Sequence, residues 1–255
     1  MIKNIAVLWT VLLTGCGEPG QPNVELKNPT EIRPRYGIIE DIQTPAGYKR
    51  LDAPEDSFGA WLRRLSLKEN KTVYLFNGSV KPNQLAQFAV LDITTGDKDL
   101  QQCADAVMRL RAEYLFATKK FDSICFIDYN GKKYQWSGDS DRTKFGPYLE
   151  NVFGWCGSAS LEKQLKPVPD YNSIQIGDVL IRGGFPGHAV LVTDMAINEK
   201  GEKIYLLVQG YQPAQDMHVL VNPVDNSLSP WYKVTDSGAI YTPEWTFERS
   251  QLRRW

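Results

Sequence analysis

Two histidines serve the whole chain, His188 and His218, so imidazole chemistry has few places to occur. His188 stands in Gly-Gly-Phe-Pro-Gly-His, where a glycine-rich turn runs into an apolar stretch. Upstream, Cys103 falls in the first turns of the longest helical pattern. The partial positive charge of a helix N-terminus favours a thiolate, and a neighbouring imidazole would complete the nucleophile, taking its proton and returning it to the leaving group. A third polar side chain must then hold the ring. Gln209 is the candidate. Strand alternation puts His188, Val190 and Val192 on one face, and Tyr205, Leu207, Gln209 and Tyr211 on one face of the next strand. If both faces look toward the helix, His188 and Gln209 are neighbours. A tight turn at Lys200-Gly201 would instead set His188 opposite Pro213. The pairing therefore needs a wider loop or a bulge, or else Gln212 or Gln215 takes the role. For an oxyanion, backbone N–H groups at the helix start offer donors, and Gln102 adds an amide.

Each of these residues also has a structural reading. Cys103 shares the apolar stripe of its helix, and free cysteine is among the most buried residue types. His218 opens an apolar strand and reads as structural. Asp99 and Asp105 flank the thiol, and as carboxylates they raise its pKa. Two histidines and scattered cysteines make no metal-ligand spacing, and no cofactor is expected.

The elements that must position these residues follow from periodicity. Residues 57–65 read as a short helix with Phe58, Trp61, Leu62 and Leu65 on one face, and residues 72–76 and 88–93 as strands. The long helix spans about 98–119, with Leu100, Cys103, Val107, Leu110 and Tyr114 in one stripe and Asp97 or Asp99 as its cap. Asn130-Gly131 marks a hairpin between 124–129 and 132–137. Two shorter helices, about 147–155 and 158–165, precede strands at 178–182, 188–196, 203–211 and 218–221. Helices first and an antiparallel meander after them make a single α+β domain.

The N-terminus carries an address. Lys3, a nine-residue apolar run and then Leu13-Thr14-Gly15-Cys16 match a bacterial lipobox. The run spans roughly half a bilayer core as a helix, too short to cross it. Residues 1–15 read as a lipoprotein signal peptide and Cys16 as the lipidated residue. Residues 16–45, punctuated by prolines, read as a tether, and residues 46–255 as one globular domain. Lipid on Cys16 would hold the chain to the bacterial envelope, and Gly17 favours the outer membrane. A net charge of -1 with no basic run gives no reason to expect nucleic acid. Without Cys16, three cysteines are left in an oxidising compartment, so at least one thiol is unpaired; Cys125 and Cys156 are one candidate pair.

The run G-D-V-L-I-R-G-G-F-P-G-H-A-V-L-V-T-D, followed by L-L-V-Q-G-Y, resembles the histidine hairpin of papain-like cell-wall hydrolases, the NlpC-type peptidases and the cysteine, histidine-dependent amidohydrolases. That resemblance implies a papain-like domain with Cys103 as nucleophile, His188 as base and Gln209 as orienting residue. It also implies a peptide or amide substrate in the envelope, peptidoglycan stem peptide among the candidates. More of the chain, from about residue 47 to 255, resembles a family of bacterial lipoproteins known as domain of unknown function family 4846. K-P-N-Q, D-L-Q-Q-C-A-D-A-V-M-R-L-R-A-E-Y, P-G-H-A-V, P-A-Q-D, S-P-W-Y and T-P-E-W-T-F carry that likeness, which implies no activity. The alternative to a hydrolase is a non-catalytic binding or scaffold lipoprotein with the same fold. A sugar-binding module built on the tryptophans is a third reading.

Overall fold

The computed structural model describes residues 36–255. The expected signal peptide, Cys16 and residues 16–35 of the expected tether lie outside the described residues. The rest of that tether is not a spacer. Ile39 and Ile42 are fully buried, Ile39 N–H bonds the Leu65 carbonyl, and the Trp231 indole donates to the Gln43 carbonyl. The packed domain therefore starts ahead of residue 46. Proline spacing suggested otherwise, but two isoleucines gain more from burial than a tether gains from freedom.

Four helices form: α1 (Phe58–Arg63), α2 (Cys103–Ala117), α3 (Arg142–Trp155) and α4 (Ser158–Gln164). Ser57 caps α1 by accepting from Ala60 N–H. The expected first turn of α2 is absent. Gln102 is extended, and Asp105 reaches back to accept its N–H at 3.0 Å, so the helix opens at Cys103 itself. Asp99, expected as a cap, instead accepts the Ala214 N–H at 2.7 Å. For α3 the sequence suggested a start at Pro147, the residue that favours a first turn. The helix begins a turn and a half earlier, capped by Asp141, and carries the proline inside.

Strands β1 (Tyr48–Arg50) and β2 (Gln87–Val90) come before α2, and the hairpin β3 (Cys125–Ile127) and β4 (Lys133–Gln135) follows it. After α4 come β5 (Lys166–Pro167), β6 (Val179–Arg182), β7 (His188–Asn198), β8 (Lys203–Gln209) and β9 (His218–Leu220). The remaining strands are β10 (Tyr232–Lys233), β11 (Ile240–Tyr241), β12 (Thr246–Phe247) and β13 (Leu252–Arg254). The expected strand at 72–76 does not form. Asn77-Gly78 turns that segment back on itself, and its strand pairing is limited to isolated bridges, such as Leu75 to Gln215.

Nine strands make one antiparallel sheet in the order β2-β9-β8-β7-β6-β13-β5, with β1 added on the far end of β7 and β10 on β8. Both faces are buried. Ala189, Leu191, Leu206 and Val208 pack with the helices, whereas Val190, Val192 and Leu207 pack with Tyr171, Phe247 and Leu252. The described residues thus form an α+β domain with an antiparallel sheet at its centre.

One irregularity in that sheet governs the site. Asp194 pairs with Leu206, but Val192 pairs with Leu207, so Thr193 is an extra residue on β7. Side chains alternate with a period of two, so without this bulge Gln209 would share a face with Leu191 and point away from His188. The bulge is pinned by a buried charge cluster. The Asp194 carboxylate accepts from Arg63 Nε at 2.6 Å and Arg50 Nε at 2.7 Å, and its own strand supplies the Met195 N–H at 2.8 Å.

Candidate functional site

Cys103 sits at the first position of α2, where the helix foot rests on the backbone of Gly210. A Cβ on that glycine would lie 2.9 Å from the Gln102 carbonyl oxygen and 3.0 Å from Ala106 Cβ. Only a bare α-carbon lets the helix approach this closely. Cys103 as a residue is partly buried, and its thiol lies against the backbone N–H of Ala189, the residue after His188. Burial and then the Asp105 carboxylate push the thiol up to about 11, against the N–H groups of Ala189, Ala104 and Cys103 itself. Burial also pushes the Asp105 carboxyl well above the usual carboxylate range.

His188 is buried, and its ring Nε2 lies 2.8 Å from Gln209 Oε1. Tyr211, Trp245 and Phe247 surround it, with ring centroids 5.0, 5.5 and 5.8 Å away. This apolar collar lowers the imidazole to about 4, although Gln209 and Glu244 oppose the shift. The amide of Gln209 continues inward. Its Nε2 donates to Glu244 Oε2 at 2.8 Å and lies 3.2 Å from His218 Nε2. Lys81 Nζ reaches Glu244 at 2.7 Å, and Asn83 Nδ2 reaches it at 3.1 Å. His218 Nδ1 meets the Asp216 carbonyl at 2.9 Å.

The face shared by His188 and Gln209 looks away from α2, contrary to the expectation that it faces the helix. Ala189 and Leu191 take the helix side. Thiol and imidazole therefore approach from opposite faces of the sheet, at the end of β7, and both line one cleft of about 810 Å³. Gln102 and Asp105 line it from α2, Cys156 and Ser158 from the foot of α4, and Tyr211 and Trp245 from the other side. Among the described residues no lysine or arginine lines it. Exposed Phe185 and Trp155 stand on its rim. At the turn before β7, a Cβ on Gly187 would press on the Gly184 carbonyl and the Ser158 hydroxyl, so this loop is closed by glycine contact.

Of the residues singled out from sequence, His188 and Gln209 are hydrogen-bonded, and Cys103 and Gln102 share the cleft with His188. Gln209 lies beneath the cleft rather than on its wall. Gln102 is partly committed: its Nε2 donates to Asp99 at 3.0 Å and its backbone N–H to Asp105. Gln212 lines the cleft, whereas Gln215 does not. Cys125 and Cys156 are unpaired, as is Cys103. Sequence reasoning missed Glu244, Lys81 and Asn83 and took His218 as structural. The first three lie in T-P-E-W-T-F and K-P-N-Q, stretches that stood out without any stated purpose. Among the described residues no group of three His, Cys, Asp or Glu side chains is arranged to hold a metal, and no helix is long and apolar enough to cross a membrane.

Fold and site together define an α+β domain with a thiol, an imidazole and an amide gathered at one end of an antiparallel sheet. The chain belongs to the family described as Domain of unknown function (4846), whose model matches residues 38–139 and 133–254. No curated protein and no solved structure matches the chain.

Proposed function

We propose that the protein is a lipid-anchored envelope hydrolase of papain-like type that cleaves an amide with Cys103. The observation that carries this reading is the 2.8 Å bond between His188 Nε2 and Gln209 in a cleft that Cys103 also lines. Gln209 Oε1 can only accept, so the ring proton sits on Nε2 and the lone pair on Nδ1. In the reaction, Cys103 Sγ attacks the amide carbonyl carbon while Nδ1 takes the thiol proton. Backbone N–H groups at the start of α2, with the remaining amide hydrogen of Gln102, stabilise the oxyanion. Collapse breaks the C–N bond, and the proton on His188 leaves with the amine. Water, deprotonated by the same ring, then cleaves the thioester to the acid and frees the thiol.

The lipobox before Cys16 puts this chemistry at the envelope, at the outer membrane by the residue that follows the cysteine. A peptide amide of the cell wall is the substrate class we favour. Two experiments test the reading. Incubating the mature chain with cell-wall fragments and following new amines by mass spectrometry should give cleavage that Cys103→Ala abolishes. Palmitate labelling in a bacterial host should be lost in Cys16→Ala.

One observation favours a non-catalytic binding protein instead. Burial moves the thiol up to about 11 and the imidazole down to about 4, both away from a thiolate–imidazolium pair. On that reading the fragments bind, Cys103→Ala binds equally well, and no amine appears.

A further inference from the structure

The hydrogen bonds behind His188 form a chain in which each donor dictates the next. The Glu244 carboxylate can only accept. Burial would raise its pKa, but the Lys81 ammonium and the Asn83 amide offset this and hold it below the usual range, so it is ionised. Its partner at 2.8 Å must then be the NH₂ group of Gln209, not the carbonyl oxygen. His218 argues the same way. Its Nδ1 faces the Asp216 carbonyl and must carry the proton, which leaves Nε2 as an acceptor for the same NH₂ group at 3.2 Å. Two acceptors therefore claim one end of the Gln209 amide, and the oxygen is turned toward His188.

A glutamine amide has nearly equal ends, and flipped it would present N–H to the ring and demand the opposite tautomer. Which nitrogen of His188 carries its proton is thus decided two residues away, by a carboxylate on the loop between β11 and β12. Lys81 and Asn83, from a loop more than 150 residues earlier, hold that carboxylate in place.

We propose that Glu244 is a positioning residue: through the amide of Gln209 it keeps the proton of His188 on Nε2 and Nδ1 free to act as base. The catalytic meaning of this lock rests on the hydrolase reading above. The tautomer itself does not, and it is measurable without any substrate.

Long-range 1H–15N correlation spectra of the ring report the tautomer directly. In the unmodified chain at pH 7, Nδ1 of His188 should resonate as an unprotonated nitrogen and Nε2 as a protonated one. A proton on Nδ1 overturns the proposal at once, whatever the variants do. Glu244→Gln keeps an acceptor beside Lys81, because Asn83 can turn its own amide, and should preserve the wild-type pattern. Lys81→Met combined with Glu244→Leu removes the carboxylate without stranding a buried ammonium. This double variant should shift the tautomer ratio by about tenfold or more toward Nδ1–H, the loss expected for a hydrogen bond to a charged group. If it keeps its near-UV dichroism and the wild-type ratio, Glu244 does not set the tautomer. A locked tautomer in a protein whose Cys103→Ala variant loses no activity would end the hydrolase reading and leave this one standing.

Discussion

The contact between Gly210 and the foot of α2 yields a sharp test of how the site is assembled. Gly210→Ala adds one methyl group 2.9 Å from the Gln102 carbonyl, where ordinary contact begins at 3.4 Å. The carbonyl has no freedom to turn, because it accepts the Ala106 N–H at 2.9 Å, and the adjoining N–H is held by Asp105. The helix must therefore shift as a body by about 0.5 Å, away from β8, and Cys103 travels with it. Overpacking of this kind costs about 1–3 kcal/mol, so the urea midpoint should fall. Gly146→Ala is the matched control. That glycine lies exposed within α3 with open space where its Cβ would go, and alanine there should stabilise by about 0.5–1 kcal/mol. The two Gly→Ala changes should move the midpoint in opposite directions. A Gly210→Ala protein as stable as the parent, or more so, would refute the claim that the helix foot bears on this backbone.

Three further outcomes follow from the buried polar groups. Asp194→Ala leaves Arg63 and Arg50 beside the bulge without their carboxylate and should cost about 3–5 kcal/mol in urea unfolding; a loss under about 1 kcal/mol would mean the cluster does not hold the bulge. His188 and His218 fall to about 4 in the folded chain from 6.5, so between those values the unfolded chain binds two more protons on them. On account of the two imidazoles, stability falls as the pH drops from about 6 to 5, by up to about 2.7 kcal/mol per pH unit, and the raised Asp105 carboxyl works against that fall. Asp105→Asn removes the opposing carboxyl and should steepen that fall, whereas a profile in this variant that stays flat from pH 7 to 5 would contradict the burial of the two imidazoles.

Much of this site was legible in the residues. Cys103 near a helix start, His188 after a glycine-rich turn and Gln209 at matching parity all follow from periodicity and residue type, and the strand register called for a wider loop or a bulge, or else for Gln212 or Gln215 in place of Gln209. The face of the strand was misread, because both faces of β7 are apolar and alternation alone does not say which one meets the helix. The missing turn of α2 was hidden for a different reason: Asp97 and Asp99 resemble caps, but Asp105 captures the Gln102 N–H from inside the helix. Glu244, Lys81 and Asn83 lay beyond reach, since no local pattern marks a carboxylate that will meet a glutamine through the folding of distant loops. Ile39 and Ile42 show the converse case, where proline spacing outweighed two plain hydrophobic side chains in the reading.

The central claim is that Cys103 and His188 act as nucleophile and base in one cleft. Its most direct test is acylation of the folded protein by p-nitrophenyl acetate at pH 7, followed by intact-mass analysis and peptide mapping. A single acetyl group should form on Cys103, at least about a hundredfold faster than in His188→Ala, the lower end of what a positioned base supplies. Acetylation that appears on Cys103 only after unfolding, or at the same rate without the imidazole, would contradict it.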